Sequence, residues 1–91
     1  SRVPYGTAIT VGRLENIERS EAFIKGLGIS QVRVRHHGNT ARIEIEEDDF
    51  PLVLEHRNEI AEELMGIGFI YVALDLHGYR TGSMNEPDLK E

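Results

Sequence analysis

Cysteine is absent from the 91-residue chain, and its absence excludes several kinds of chemistry. Without a thiol, the chain holds no disulfide, no thiolate metal site and no cysteine nucleophile. Long apolar runs are absent as well. The longest, at residues 69–74, has six residues, far short of the roughly 20 that a membrane-spanning helix needs. A signal-peptide pattern is also missing. We therefore expect a cytoplasmic protein without membrane contacts.

Positive charge is scarce, because ten basic residues stand against sixteen acidic ones and the formal net charge is -6. Binding to nucleic acids or to anionic membrane surfaces generally needs a positive footprint, so this balance argues against both. A chain of 91 residues is enough for one domain with a small core. The chain begins with Ser1 rather than Met, which suggests a processed chain or a piece of a longer one.

Apolar spacing predicts two helices and three strands. In chain order we expect a helix over residues 11–26, strands over residues 31–37 and 40–46, a helix from Asp48 or Asp49 to about residue 65, and a strand over residues 69–76. Gly38-Asn39 is the expected two-residue hairpin turn. The predicted fold is α+β: a two-layer sandwich in which two helices cover one face of a small, mostly antiparallel sheet (αββαβ, ferredoxin-like or related).

The chain also carries a faint internal repeat. The segment Gly26-Leu27-Gly28 recurs forty positions later as Gly66-Ile67-Gly68, and each segment separates a predicted helix from a predicted strand. This spacing indicates pseudo-symmetry, although chance matches of glycines produce the same pattern. The predicted organisation is a lead-in segment at residues 1–10, the α+β domain at residues 11–78 and a polar tail at residues 79–91. We do not expect a fourth strand within the lead-in.

The first strand of the hairpin alternates apolar and basic residues, so its basic side chains share one face of the sheet. The face expected to be exposed carries Arg33, Arg35, His37, Arg42, Glu44 and Glu46. The turn pairs Arg33 with Glu44, which is favourable, and Arg35 with Arg42, which is a like-charge pair. Arg35 is thus expected to lack a carboxylate. Two readings remain open: an anion lies between the guanidiniums, or the face is a solvated surface of mixed sign whose arginines fan apart.

Tandem histidines and three carboxylates are the possible metal ligands. In a strand, His36 and His37 point to opposite faces, so they do not bind one ion together without a bulge. The simpler reading is that His36 packs at the end of the sheet and His37 lies on the surface. Glu21 falls at the edge of the first helix's apolar stripe, where it extends past the sheet or joins a polar cluster. Glu44 and Asp49 offer further oxygens suited to a hard or borderline cation, but no motif requires one.

Three segments of the chain resemble a single protein family. They are residues 1–7 (SRVPYGT), residues 32–44 with VRVRHHG followed by ARIE, and residues 71–86 (YVALDLHGYRTGSMNE). Together they resemble the C-terminal domain of the LarE-type (ExsB-like) ATP-dependent sacrificial sulfur transferases, which are PP-loop ATPases. The resemblance extends over essentially the whole chain.

The resemblance implies a role in making the nickel-pincer nucleotide cofactor of lactate racemase. In this family, an upstream PP-loop domain uses ATP and Mg to adenylate a carboxylate of a pyridinium mononucleotide. Sulfur then comes from a sacrificed cysteine or from an iron–sulfur cluster. The present chain contains neither the PP-loop nor a cysteine. It is therefore expected to bind no cofactor of its own and to be inactive alone.

By the same resemblance, the chain contributes substrate-phosphate binding and oligomer contacts, and no catalytic residue. The anion site falls on Ser1, Arg33 and Arg35, with Arg80 in support. A carboxylate cluster that gathers a divalent metal at subunit contacts falls on Glu21 and Glu44. The third carboxylate has no aligned position, and we assign it to Asp49. The expected partners are the upstream PP-loop domain, the pyridinium mononucleotide and further copies of the protein.

Two other classes of function remain open. One is a stand-alone anion- or nucleotide-binding module with a regulatory role, a use to which small α+β sandwiches are often put. The other is an RNA-binding domain that uses basic residues on a strand face. The net charge and the lack of aromatic residues next to Arg33 and Arg35 disfavour the RNA-binding reading.

Overall fold

The predicted hairpin lies at the centre of the fold. Strand β1 (Val32–His37) and strand β2 (Thr40–Ile45) pair antiparallel. Their register is the one predicted, with Val34 opposite Ile43 and Arg35 opposite Arg42. Gly38 in the turn has a φ of 54°, a left-handed conformation that glycine adopts without steric cost. The two-residue turn therefore sets which side chains face each other.

The structure, a computed structural model, describes residues 11–79. The predicted lead-in at residues 1–10 lies outside that range, and so does all of the predicted tail except Tyr79. Two of the candidate anion ligands, Ser1 and Arg80, also lie outside it. The division of the chain at residues 10 and 78 thus stays a prediction.

Helix α1 (Val11–Lys25) ends one residue earlier than predicted. Gly28, with a φ of 109°, then turns the chain towards β1. The helix packs against β1 and against the helix that precedes the last strand. Ile24 is fully buried there, and so is Ser20. The Ser20 hydroxyl donates to the Asn16 carbonyl oxygen at 2.7 Å, which offsets the cost of burying that hydroxyl.

The predicted second helix is interrupted. A 3-10 turn at Glu47–Asp49 leads into α2 (Phe50–Glu55), and α3 (Arg57–Ile67) follows after His56. At that break His56 has φ −103° and ψ 22°. Its ring Nδ1 contacts the Glu59 carboxylate in the first turn of α3. The predicted cap, Asp49, occupies the position before α2 but makes no capping hydrogen bond through its side chain.

Strand β3 (Tyr71–Leu74) runs parallel to β2, and the sheet order is β1-β2-β3. The sheet is therefore mixed rather than mostly antiparallel, since it contains one antiparallel and one parallel pair. A parallel neighbour requires a crossover connection, which α2 and α3 provide. The chain continues along β2 past the strand: Asp75 N donates to Ile43 O at 2.9 Å and Tyr79 N to Ile45 O at 2.6 Å.

The helices cover one face of the sheet, so the predicted two-layer α+β sandwich is confirmed. The core between the layers consists of Ile24, Ile29, Val32, Val34, Ala41, Ile43, Ile45, Val53, Ile60, Leu64 and Phe69. Full burial of such a side chain typically contributes about 1.5–3 kcal/mol. Within residues 11–79, no helix is long and apolar enough to cross a membrane.

Candidate anion-binding site on the open sheet face

The face of the sheet opposite the helices carries three of the five candidate site residues that the structure describes, Arg33, Arg35 and Glu44. Val72 and Leu74 pack against the core, so Tyr71 and Ala73 point to the other side, because successive residues of a strand alternate. Together with the β1–β2 register, this alternation defines the open face as Arg33, Arg35, His37, Thr40, Arg42, Glu44, Tyr71 and Ala73. The candidate ligands Arg33 and Arg35 thus lie on one surface, as predicted.

Glu44 is the unusual member of the open face, because only 3% of its surface is exposed. Its carboxylate joins two arginines: Arg35 Nε donates to Oε1 at 3.2 Å and Arg42 Nη2 donates to Oε2 at 3.0 Å. A buried carboxylate is costly without such partners. Glu44 therefore holds the guanidiniums of two neighbouring strands in place.

The expectation that Arg35 lacks a carboxylate is wrong. Glu44 is opposite Arg33 in the register, as predicted, but its carboxylate bonds to the diagonal neighbour Arg35 and to Arg42, two residues away on β2. Diagonal positions on a sheet face lie about 7–8 Å apart, which is within reach of long side chains. The like-charge pair of Arg35 and Arg42 is therefore stabilised by an anion of the protein itself.

Asp75 extends this network beyond β3. Its Oδ2 lies 3.6 Å from Arg42 Nε, and its Oδ1 accepts a hydrogen bond from His77 N at 2.9 Å. The backbone after it comes close to β2 at Gly78, where a Cβ would lie 2.7 Å from Ile45 O. Glycine is required there because of that contact and its φ of 82°. Glu44 and Asp75 thus flank Arg42.

Both arginines remain accessible while they are held. The side chain of Arg35 is 23% exposed and that of Arg42 is 32% exposed. Each guanidinium carries five N–H donors in a planar fork. Pre-positioned guanidiniums on adjacent strands suit the oxygens of a phosphate, which Arg binds in forked geometry. The arrangement can bind an anion.

His37 lies beside these arginines. Burial lowers the pKa of His37, and the positive charges of Arg42 and Arg35 lower it further, while Glu44 opposes them. A phosphate at this place would offset the arginine charges and favour protonation of the imidazole. His37 therefore lies close enough to both arginines to be affected by their charge.

His36 points to the helix-covered face, as expected for a histidine that packs at the end of the sheet. Its ring stacks on Phe69 with centroids 4.7 Å apart and a tilt of 56°, and its carbonyl oxygen accepts from Arg13 Nη2 at 3.0 Å. Burial lowers the pKa of His36, and the charge of Arg13 adds to that effect. His36 and His37 share no site.

The three predicted metal ligands lie apart in the single chain. Glu21 Oε2 accepts from Val34 N at 3.0 Å and so pairs a backbone N–H at the outer edge of β1. Glu44 is bonded to the two arginines on the open face, and Asp49 lies in the 3-10 turn. In the described part of the chain, no three His, Asp or Glu side chains form a group that could hold a metal ion. A site shared between subunits stays a prediction.

The anion ligands implied by the resemblance did not include Arg42 and Tyr71 on the open face, or Asp75 just after β3. Arg42 had been considered only in the interpretation that an anion lies between its guanidinium and that of Arg35. The other two depend on β3 lying beside β2 with Thr40 opposite Tyr71. The continuous apolar run at residues 69–74 indicates a strand but does not show which neighbour it pairs with.

A groove of about 320 Å³ lies elsewhere, between β3 and the helices α2 and α3. It is lined mainly by aliphatic side chains, among them Ile43, Val53 and Ile60, with Arg57 and Asn58 as its charged and amide members. None of the open-face arginines line it. Its chemistry suits an apolar occupant rather than an anion.

Three proteins share sequence with nearly the whole chain. A protein of Lactiplantibacillus plantarum named pyridinium-3,5-bisthiocarboxylic acid mononucleotide synthase is 40% identical over 86 residues, which cover 94% of this chain and 31% of that protein. Uncharacterised proteins of Synechocystis sp. and Methanocaldococcus jannaschii are 40% and 32% identical, over 93% and 89% of this chain. No family model matches the chain. The chain spans about a third of the length of each relative.

Proposed function

We propose that this chain is the substrate-phosphate-binding and oligomerisation domain of a LarE-type, ATP-dependent sulfur transferase that acts on a pyridinium mononucleotide. Similarity to a segment of the Lactiplantibacillus plantarum synthase supports the family and the substrate class. The observation that carries the role of this domain is the pair Arg35 and Arg42, held side by side by the buried carboxylate of Glu44. The sulfur product would serve nickel-pincer cofactor biosynthesis, in the cytoplasm.

The division of labour follows from the residue types. Adenylation with ATP and Mg needs a phosphate-binding loop. Sulfur transfer needs a sulfur donor, and this chain has no cysteine to supply one. Both steps would belong to an upstream PP-loop domain of the whole protein. The present domain would hold the substrate's phosphate through Arg33, Arg35 and Arg42, together with Ser1 and Arg80 if they reach the same place. Arginines fixed before binding lose little conformational entropy when the phosphate arrives.

The anion site is tested by titrating the full 91-residue chain with nicotinic acid mononucleotide. Loss of one charged hydrogen bond costs roughly 1.5–3 kcal/mol, so Arg35→Ala is expected to weaken binding by about tenfold or more. Arg33→Ala is expected to act in the same direction. The matched control is Arg19→Ala, an exposed arginine on α1 in the opposite layer, which should leave affinity unchanged. Equal affinity for all four proteins would refute the site.

The metal at subunit contacts is tested separately with Glu21→Gln. The glutamine oxygen can still accept from Val34 N, so the fold is kept while the negative charge is lost. We expect this variant to lose metal content and to form smaller oligomers than the wild type. Glu18→Gln, one helical turn earlier and exposed, is the control. Unchanged metal content and oligomer size in Glu21→Gln would remove Glu21 from the proposed metal site.

The second candidate function is a regulatory module that binds an anion or a nucleotide by itself. Residues 11–79 support it, because their core and their open face are both formed within this one segment. The parent gene separates the two functions: a PP-loop of the Ser-Gly-Gly type upstream of this segment favours the transferase. A parent protein without that loop, in which the open face still binds a nucleotide, favours the regulatory module.

A further inference from the structure

We propose that Tyr71 is the residue that selects the ring of the bound nucleotide, by stacking on it while Arg35 and Arg42 hold the phosphate. This inference rests on the proposed function and adds a residue to which the resemblance assigns no role. With this ring contact, the site would recognise a mononucleotide rather than any small anion.

The placement of Tyr71 carries the argument. Tyr71 lies on β3 opposite Thr40 and points to the open face, because Val72 and Leu74 point to the core. It is 65% exposed. Its neighbours on that face are small, with Thr40 across the strand pair and Ala73 two residues along. Small neighbours leave the face of the phenol ring open for a ligand.

The three phenylalanine side chains behave differently. Phe69 is buried, and Phe23 and Phe50 pack against the core. Within residues 11–79 the closely packed ring pair is His36 with Phe69, on the helix side. A large aromatic side chain that faces water loses the stabilisation that burial provides. Exposed aromatic side chains on a sheet face are the usual platforms for bases of nucleotides.

The spacing fits a mononucleotide. Neighbouring strands lie about 4.8 Å apart and residues rise about 3.3 Å along a strand, so the backbone at Tyr71 lies roughly 8 Å from that at Arg42. A phosphate bound to Arg35 and Arg42 is therefore separated from the Tyr71 ring by about the length of one ribose. The Thr40 hydroxyl lies between them. Tyrosine also attracts cationic rings through its π-face. A pyridinium ring is cationic, and its positive charge is repelled less by the arginines once the phosphate is bound.

Three probes separate the contributions of ring and phosphate: inorganic phosphate, ribose 5-phosphate and nicotinic acid mononucleotide. Each is titrated into the full chain as wild type, Tyr71→Leu, Tyr71→Phe and Arg35→Ala. Stacking of one base typically changes affinity by about tenfold. We expect Tyr71→Leu to weaken mononucleotide binding by that factor and to leave ribose 5-phosphate binding unchanged, while Tyr71→Phe keeps the wild-type affinity. Arg35→Ala should weaken binding of all three probes.

The two hypotheses fail in different ways. If Arg35→Ala changes nothing, or the wild type binds none of the probes, the proposed anion site fails and the ring contact fails with it. If Arg35→Ala acts as expected but Tyr71→Leu spares the mononucleotide, or weakens ribose 5-phosphate equally, only the ring contact fails. If Tyr71→Leu does not fold, the wild type is used instead, and nuclear Overhauser contacts are measured between the pyridinium protons and the Tyr71 ring. The presence of these contacts supports stacking, and their absence refutes it.

Discussion

The two faces of the β1–β2 hairpin are built from alternate residues of the same strands, yet one is stabilised by aliphatic packing and the other by charged side chains. On the helix side, Val34 and Ile43 face each other in a dry aliphatic core. On the open side, the facing residues are Arg35 and Arg42, held by a buried carboxylate and left partly exposed. The helix side stabilises the fold, while the open side places two arginine side chains at the surface beside one shared carboxylate.

The largest expected effect lies on the helix side. Ile43→Ala leaves a cavity in the core between the sheet and the helices, and such truncations cost about 2–5 kcal/mol in the free energy of unfolding. Ile70→Ala is the matched control, because Ile70 is 54% exposed and surface truncations cost about 0.5 kcal/mol or less. Chemical denaturation of both variants measures the difference. Equal losses would contradict the location of the core.

A smaller loss is expected for Glu44→Gln on the open side. The amide keeps the shape of the side chain but leaves the two guanidiniums without their shared counter-charge. Because both arginines are partly exposed, solvent screens the interaction, and we expect a loss of about 1–2 kcal/mol. Glu46→Gln, at an exposed position just after β2, should change stability by less than about 0.5 kcal/mol. If Glu44→Gln leaves the free energy of unfolding unchanged, the Glu44 carboxylate does not hold Arg35 and Arg42 in place.

The smallest effect concerns pH. Burial lowers the pKa of His36 in the folded protein, so the unfolded chain takes up its proton first, near the usual value of about 6.5. The contribution of His36 to stability is therefore present above about pH 6.5 and is lost as the pH falls from there towards the folded pKa. His36→Phe, which keeps a ring against Phe69, should lose less stability between about pH 7 and pH 5 than the wild type.

Denaturation midpoints at several pH values test this prediction. Between about pH 8 and pH 9, where histidine is not titrating, the curves of His36→Phe and wild type should run parallel. If the two proteins lose stability equally on acidification, His36 does not contribute to the pH dependence.

The hairpin was predictable because two local rules act together. The two-residue turn at residues 38–39 sets the pairing, and the alternation of side chains sets the faces, so Arg35 opposite Arg42 follows from the sequence alone. The Gly-x-Gly segments likewise mark the ends of α1 and α3, since Gly28 and Gly68 both adopt positive φ. Each of these features depends on residues close together in the chain.

The features that were not predicted depend on tertiary contacts. The break at His56 and the parallel pairing of β3 arise where α2 and α3 cross over the sheet. The bridge from Glu44 depends on which of several neighbours its side chain reaches, and pairing rules give only the residue directly opposite. The position of Tyr71 in the site was also not predicted, because the β2–β3 register decides which face of the sheet its side chain occupies.

The proposal that the open face binds the substrate is tested most directly by mapping where nicotinic acid mononucleotide binds on the wild-type chain. Two surfaces compete: the open face and the aliphatic groove beside α2 and α3. We predict that NMR chemical-shift changes concentrate on Arg33, Arg35, His37 and Arg42 and extend to Tyr71. Changes confined to the groove, at Leu54, Ile60 and Val72, would contradict the claim that the open face is the binding site.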